Sequence, residues 1–326
     1  MKNFIVICIA LLIITACAAP QPPVVPTNTP VPSFETATPF TASTATPAIA
    51  TSTVATLPPI FTPTNTAVAP AATLTSSPPV MGIHNPYAVI LVSAGDVLNI
   101  RSSAGTGHSI VGSFEPTAVG VNRTGPAASA GGDRWVEIQN PAGGTGWVNA
   151  NFLTEYVAPS AFCTDSRVND LLNNVRSAML NSNGDLLESL VSPEHGLDLR
   201  LWRWGTVANY TPKEAAWVFE SDYVVSWGPA PGSGTETSGT FSEQPLPKLQ
   251  EVFSANYSLH CNNTLDLATF SLEPWPAEYT NINFYTVYKP GSEQYGGLDW
   301  RAWIAGVEFV QGTPKLVALI HFQWEP

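Results

Sequence analysis

The side chains that could act in acid–base or nucleophilic chemistry lie mostly in the second half of the 326-residue chain. Glu194 and His195 are adjacent and bounded by a proline and a glycine, which is typical of a surface turn. His260 precedes Cys261 in an apparent strand, where neighbouring side chains point to opposite faces. We therefore interpret the first pair as a turn rather than a catalytic pair. The second pair cannot form a thiol–imidazole pair.

The remaining candidates stand near the C-terminal end. His321 lies on the last predicted strand, and we expect an interior, hydrogen-bonded histidine there rather than an acid or base. Asp299 and Glu308 could pair across a cavity, but nothing in the sequence fixes their separation. Trp300, Trp303 and His321 are the candidate pocket residues of this region. No hydrolase, zinc-protease or phosphate-loop motif and no zinc-ligand spacing is present. The sequence thus predicts no metal or cofactor and favours a protein that is not an enzyme.

Tryptophan is unusually frequent in the C-terminal half. Its ring suits both sugar stacking and a hydrophobic core. We expect a core role for most of the eight, which are Trp202, Trp204, Trp217, Trp227, Trp275, Trp300, Trp303 and Trp324.

Helical patterns occupy the first part of residues 160–326, the segment that must position these side chains. Apolar side chains recur at helical spacing over residues 165–180, and a shorter helix follows at LLESLV. Thr211, Pro212 and Glu214 form a capping-box pattern that predicts the start of a third helix. The sequence of residues 246–256 predicts a fourth helix.

Strand patterns follow at the C-terminal end of the same segment. INFYTVY, WRAWIAGVEFV and KLVALIHFQW are predicted strands, and the last two flank a hairpin at residues 311–314. Helices followed by long antiparallel strands predict an α+β domain, with helices packed on a curved antiparallel sheet. The order resembles the nuclear-transport-factor-2-like cone, a fold that hosts both enzymes and empty scaffolds.

Short alternating strands bounded by turn residues occupy residues 82–158 and predict a small all-β barrel. Three stretches resemble the bacterial SH3-like (SH3b) domain: LNIRSSAGTGHSIVGSF at 98–114, DRWVEIQ at 133–139 and GTGWVNANFL at 144–153. The SSAGTG loop departs from the Gly-Pro that many members carry, which affects loop shape. The resemblance implies a non-catalytic module that binds cell-wall peptides or glycans, or that packs beside a partner domain.

Alternation along the strands separates the barrel's core from its outer face. Asn99 and Arg101 are predicted to point outward, and His108 stands at a loop tip. These three are the candidate ligand-binding residues, with a merely solvated surface as the alternative. The predicted core consists of Val97, Ile100, Ile110, Trp135, Ile138, Trp147 and Phe152.

The N-terminus carries Lys2, an apolar run over residues 4–14 and then Thr-Ala-Cys ending at Cys17. The run is shorter than the ~20 residues that span a bilayer, and it has the three parts of a secretory signal. Its ending resembles the lipobox of bacterial lipoproteins. That resemblance implies a signal peptide at 1–16, lipidation of Cys17, and an exported protein anchored to a membrane outside the cytoplasm. An ordinary signal with a chance cysteine is the alternative.

Residues 17–80 are rich in Pro, Thr, Ala, Ser and Val and carry a single charge, Glu35. Such a segment buries too little apolar surface to fold, and its prolines stiffen it toward polyproline II. We expect a disordered stalk that holds the folded part away from the membrane, with or without O-glycosylation.

Charge and cysteine usage limit the partners and the compartment. The net charge is −12 with no basic run, so nucleic-acid binding has no electrostatic basis. Four cysteines are present; Cys8 lies in the signal and Cys17 at the lipobox. Cys163 and Cys261 remain and are predicted to form a disulfide in an oxidising compartment, two buried thiols being the alternative.

Three functions are compatible with these features. The favoured one is a non-enzymatic, membrane-anchored surface lipoprotein that binds peptidoglycan, a surface glycan or an extracellular protein through the SH3-like domain. The second is a cell-envelope hydrolase that acts on wall or carbohydrate and uses this domain for targeting. The third is a structural or assembly protein of the envelope.

The substitution Cys17→Ser tests the anchor. Without the sulfur no acyl chain can be attached, and burial of acyl chains supplies the membrane affinity. We expect the variant to be released to the medium or to stay unprocessed, as measured by cell fractionation and immunoblotting. Cys8→Ser, which changes the other cysteine of the N-terminal segment, should leave localisation unchanged. Membrane retention of a cleaved Cys17→Ser form would contradict the lipobox prediction.

Overall fold

The computed structural model describes residues 86–267 and 275–325. Cys17, the predicted signal peptide at 1–16 and the predicted stalk at 17–80 lie outside the described residues, as do residues 268–274 and 326. Within the described part, no helix is both long enough and apolar enough to cross a membrane.

Two small antiparallel sheets form the first part of the described chain. One has the order β4-β1-β8 and the other β3-β2-β7-β6-β5, with a short 3-10 turn at Ala150–Phe152. Buried aliphatic side chains of both sheets, such as Val89, Ile100 and Val148, share one core. The strands are β1 Tyr87–Val89, β2 Leu98–Arg101, β3 Ile110–Phe114, β4 Val119–Val121, β5 Arg123–Ala130, β6 Asp133–Gln139, β7 Thr145–Asn149 and β8 Leu153–Glu155.

The predicted core of this part is correct for three residues and wrong for one. Ile100, Trp135 and Ile138 are buried, whereas Ile110 is 56% exposed. A register shift after Ile100 places Gly112 opposite Ile100 and Ile110 opposite the outward-facing Arg101. Ile110 therefore shares the outer face of the sheet. Three further predicted core residues are half-buried, namely Val97, Trp147 and Phe152.

Five helices and eight strands form the second part. The helices are α1 Pro159–Thr164, α2 Ser166–Asn181, α3 Gly184–Leu190, α4 Pro212–Trp217 and α5 Pro245–Ser254. The strands are β9 Leu197–Arg200, β10 Ala208–Tyr210, β11 Val225–Pro229, β12 Glu236–Gly239, β13 Ser258–Cys261, β14 Asn283–Lys289, β15 Arg301–Val310 and β16 Thr313–Gln323. Short 3-10 turns lie at Ala277–Tyr279 and Glu293–Tyr295.

The strands of this part assemble into one large sheet and one hairpin. The six-stranded sheet has the order β10-β9-β16-β15-β14-β13, and β11 pairs with β12 separately. All neighbours are antiparallel except β9 and β16. The C-terminal part is therefore a mixed α/β fold with antiparallel sheets and few helices. The predicted helices at 165–180 and 246–256 and the hairpin at 311–314 are confirmed within one or two residues.

Both faces of the six-stranded sheet are covered. One face packs against the helices through a large core that includes Phe162, Met179 and Trp303. The opposite face carries a second core, which includes Phe322 and also Ile90, the residue that follows β1. Because both faces are buried, β15 and β16 are apolar almost throughout rather than alternating.

Hydrogen bonds reinforce the contact between the two parts. The Asn281 side chain donates to the Val89 carbonyl at 2.8 Å. The carboxylate of Glu155 accepts from the amides of Gln311 and Gly312 at 2.7 and 2.8 Å, in the turn that joins β15 to β16. The two parts thus belong to one compact unit.

The structure places Cys163 of α1 and Cys261 of β13 at disulfide distance. Their Cα atoms are 5.7 Å apart, within the usual range for a disulfide. Such a bond would join the entry of the C-terminal part to an edge strand of its sheet across a separation of 98 residues.

Removal of both cysteines tests this bond. For a loop of that length the chain-entropy model predicts a loss of about 4–5 kcal/mol in the free energy of unfolding. We expect the Cys163→Ser, Cys261→Ser double variant to show that loss in urea unfolding, relative to oxidised wild type. The unreduced wild-type protein should also be lighter than its reduced form by two hydrogen atoms. Two titratable thiols in unreduced protein would contradict the prediction.

Candidate binding groove

An open groove lies beside helix α4, between strands β10 and β11. Its volume is about 720 Å³, and its lining comprises residues 206–210, Lys213, Glu214 and Trp217 of α4, Val218, Ser221, residues 223–226 and Phe241. Strand β10 is an edge of the six-stranded sheet, and β11 belongs to the separate hairpin. The groove, here called the α4 groove, therefore lies where the large sheet ends and the hairpin begins.

Large apolar side chains are exposed along the α4 groove. Trp217 is 68% exposed and Tyr223 is 72% exposed, and Val207 and Val224 beside them are also exposed. Contiguous exposed apolar side chains on a folded protein mark binding surfaces more often than isolated ones do. The groove is thus the best candidate for a binding site in the described part of the chain.

Local capping chemistry fixes helix α4, which ends at Trp217. The Thr211 hydroxyl accepts from the Glu214 amide at 3.3 Å, and the Glu214 carboxylate accepts from the Thr211 amide at 2.8 Å. This confirms the predicted capping box, and the hydrogen bonds that the Glu214 carboxylate accepts from the Thr211 amide and hydroxyl lower the pKa of Glu214. After the helix, the Ser221 amide donates to the Trp217 carbonyl at 2.9 Å, and the Ser221 hydroxyl accepts from the Tyr223 amide.

Aromatic packing builds the floor of the groove. Phe241 is buried and makes edge-to-face contacts with Tyr210 and Phe219, with ring centroids 6.0 and 5.5 Å apart. Burial raises the pKa of Tyr210 far above its usual value, so its hydroxyl stays neutral. Among the described residues, neither the Tyr210 hydroxyl nor the Lys213 ammonium has a hydrogen-bond partner. Both groups remain available to a ligand.

The hairpin wall of the groove is anchored in the core. Trp227 of β11 is fully buried, and its indole donates to the Gly239 carbonyl at 3.0 Å. The Trp202 indole donates to the Thr237 hydroxyl of β12 at 3.1 Å. The first bond joins the two strands of the hairpin to each other, and the second attaches β12 to Trp202, so this wall has a fixed position on the core.

A second, polar cavity of about 590 Å³ adjoins the groove, with Trp217 on the wall of both. Residues 181–185, Glu188 and Glu220 contribute to its lining. Within the described ranges, no group of three or more histidine, cysteine or acidic side chains is placed to hold a metal ion.

The three candidate ligand-binding residues of the N-terminal sheets lie on and beside strand β2. Asn99 and Arg101 are half-buried on β2, and His108 is exposed in the loop before β3. The Arg101 guanidinium donates to the His108 carbonyl at 2.8 Å, which brings these two residues together. None of the three lines the small cavity of about 260 Å³ in this part of the chain, which borders on Gln139, Asn140 and Pro141.

Two of the three candidate pocket residues are core residues. Trp303 and His321 are cross-strand partners with rings 4.9 Å apart, and both are buried. The His321 Nδ1 lies 3.1 Å from the Leu201 carbonyl, and burial together with the charge of Lys248 lowers its pKa to about 3. His321 is therefore the neutral interior histidine that its strand position predicts. Trp300 is half-buried beside the second core and does not join them.

The tryptophans divide into buried and exposed sets. Three are buried, namely Trp202, Trp227 and Trp303. Trp275 and Trp300 are half-buried. Trp204, Trp217 and Trp324 are exposed, so these three are not core residues. Trp217 is the last residue of a six-residue helix. A helix of that length is too short for the spacing of its apolar residues to show which face is buried.

Neither Asp299 and Glu308 nor His260 and Cys261 form a pair. The Asp299 carboxylate accepts from the Ser292 amide at 2.6 Å and does not meet Glu308. His260 Nε2 lies 2.7 Å from the Ser258 hydroxyl while Cys261 faces Cys163, so His260 and Cys261 do not pair, as predicted.

Glu308 instead binds His195, which the sequence assigned to a surface turn. His195 lies in that turn, yet its side chain is only 5% exposed, and its Nδ1 is 2.8 Å from the Glu308 carboxylate. The Ser192 hydroxyl donates to the same carboxylate, and Thr154 of β8 donates to it at 3.0 Å. The pairing was missed because 113 residues separate the two partners.

These residues have the types of a hydrolytic triad but not its geometry. The Ser192 hydroxyl donates to the carboxylate of Glu308 rather than to the imidazole of His195, and Ser192 is fully buried. Burial alone would lower the pKa of His195. The charge and hydrogen bond of Glu308, with the charges of Glu194 and Asp198, outweigh burial and raise the pKa above its usual value.

Comparison with protein-family models, with curated proteins and with solved structures finds no significant match to this chain.

The ion pair between His195 and Glu308 should make stability depend on pH. A raised folded-state pKa means that the contribution is complete below the unfolded value of about 6.5 and is lost as pH rises through the folded value. We expect Glu308→Gln to lower the free energy of unfolding at pH 5.5 by about 3 kcal/mol, because it breaks a buried pair. It should also flatten the fall in stability at higher pH, as measured by urea unfolding across a pH series.

The matched control is Glu220→Gln, which removes a carboxylate from an exposed position. That variant should follow the pH dependence of the wild type. A wild-type stability that rises steadily with pH above 6.5, with Glu308→Gln unchanged in slope, would contradict the assignment.

Proposed function

We propose that this protein is an exported, lipid-anchored protein of the bacterial cell envelope that binds extracellular material without transforming it. Cys17 carries the anchor, residues 17–80 are the stalk, and the folded part presents the binding surfaces. The lipobox-like ending at Cys17 and the Pro/Thr-rich composition that follows it support this order of segments.

The proposal includes a finer division of the folded part. Residues 82–158 are an SH3-like module, and residues 160–326 are an α+β domain related to the nuclear-transport-factor-2-like cone. Two small antiparallel sheets around one core support the first assignment. Helices packed on one face of a six-stranded, mostly antiparallel sheet support the second.

The observation that carries the proposal is the α4 groove. Trp217 and Tyr223 stay largely exposed although the rest of the helix and hairpin is held firmly by caps and buried aromatic residues. Tryptophan and tyrosine supply much of the contact energy in binding sites, because they bury large rings and lose few rotamers. A groove with rigid walls and exposed rings is suited to binding.

The negative charge of residues 160–326 limits the class of partner that the protein can bind. Residues 160–326 contain nine basic and 19 acidic side chains. An acidic surface repels anionic polymers and anionic membranes, so nucleic acid and lipid headgroups are poor partners. Peptidoglycan, a surface glycan or an extracellular protein of low negative charge is the partner that we propose.

Co-sedimentation with purified, insoluble cell wall tests this function. The full-length protein, extracted from membranes in detergent, should pellet with the wall in a saturable manner. The wall should release no soluble fragments, as checked by chromatography of the supernatant. Absence of the protein from the pellet would contradict the binding function, and released fragments would contradict its non-catalytic character.

A further inference from the structure

We infer that the ligand of the α4 groove is an oligosaccharide chain of low charge, with a sugar ring stacked on the indole of Trp217. The inference rests on the proposed binding function and names its ligand class. The groove, at about 720 Å³, lies within the range usual for small-ligand sites.

The mixture of exposed rings and unpaired polar groups points to sugar. A pyranose ring has an apolar face of C–H groups and a polar edge of hydroxyl groups. Trp217 and Tyr223 offer flat apolar surfaces for the first, and the Tyr210 hydroxyl and Lys213 ammonium offer hydrogen bonds for the second. A purely apolar ligand would cover these two polar groups without a partner, which is costly.

The charges around the groove favour a ligand of low charge. Glu214 lines the groove, but its carboxylate is engaged by Thr211, which leaves Lys213 as a cation without a partner in the described part of the chain. Glu188 and Glu220 line the neighbouring cavity on the other side of Trp217. A polyanionic chain would be repelled there, whereas a neutral chain or one with an isolated carboxylate would be accepted.

The closed end of the groove disfavours an extended peptide. The Thr206 amide donates to the Trp227 carbonyl at 3.2 Å, so the chain before β10 is joined to β11. Gly205 and Gly228 also approach so closely there that a Cβ on Gly228 would lie 3.2 Å from the Cα of Gly205. A peptide strand could pair with only the three residues of β10 before meeting this junction. The groove therefore favours a ligand that stacks on its aromatic rings over a peptide that pairs with the backbone of β10.

Titration of the full-length protein with defined chains tests the inference. The probes are chitohexaose, which is neutral, and peptide-free glycan strands of N-acetylglucosamine and N-acetylmuramic acid, which carry isolated carboxylates. A synthetic peptide of residues 56–70 from the Pro/Thr-rich segment is the polypeptide probe. We expect at least one of the two glycans to bind, as measured by isothermal titration calorimetry, and the peptide not to bind.

Two variants and one control variant test whether the glycan binds in the α4 groove. Trp217→Ala should weaken glycan binding at least tenfold, whereas Trp324→Ala removes an exposed tryptophan outside the groove and should not. Lys213→Gln should weaken binding of the carboxylate-bearing strand more than that of the neutral chain. Because Trp217 is exposed, its variant should keep the wild-type melting temperature, which separates lost binding from lost folding.

The outcomes distinguish this inference from the proposed function. Failure of both glycans to bind, an unchanged affinity in Trp217→Ala, or binding of the peptide alone would overturn the oligosaccharide assignment. If the protein still pellets with cell wall in those cases, the proposed function stands and the groove does not serve it. If glycans bind the groove but the protein does not pellet with wall, the ligand class stands and the wall-binding function does not.

Discussion

A buried carboxylate lies where the two parts of the folded chain meet. Glu308, on β15, is 3% exposed, and a charge in such a place is tolerated only with close partners. Thr154 of the N-terminal sheets, and Ser192 and His195 of the turn after α3, all bond to it. Moving the turn away from β15 would leave this charge buried without its histidine partner, at a cost of several kcal/mol, whereas moving the N-terminal sheets away would remove the Thr154 bond. Glu308 therefore fixes the turn against the large sheet and adds one hydrogen bond to the contact between the two parts.

The same cluster reaches the wall of the α4 groove. The side chain of Asn209, on β10, donates to the His195 carbonyl and to the Asp198 carboxylate, both at 2.8 Å. The edge strand that lines the groove is thus held by the turn that is itself held by Glu308. A surface with exposed aromatic rings can keep its shape without a ligand when its backbone is attached to the core in this way.

Elements whose determinants are local could be predicted from the sequence, and contacts between distant residues could not. The Thr211 and Glu214 capping box, the helix over 166–181 and the hairpin of β15 and β16 follow from caps and periodicity. The pairing of His195 with Glu308 depends on how the turn docks onto the sheet. Likewise, nothing local distinguishes exposed Trp217 from buried Trp227. The candidate groove was missed because it is formed by segments that meet only in the folded chain.

The position of β1 determines how the fold would respond to tension. Any pull transmitted along the chain from before residue 86 enters through β1, the central strand of its sheet, with β4 and β8 antiparallel on either side. Force along the strand axis loads the hydrogen bonds of both neighbours in shear, so they must fail together rather than peel one by one. Ile90, immediately after β1, is buried in the core of the large sheet and adds a hydrophobic anchor there. A pull from that side thus loads a central strand of the sheet rather than an edge strand.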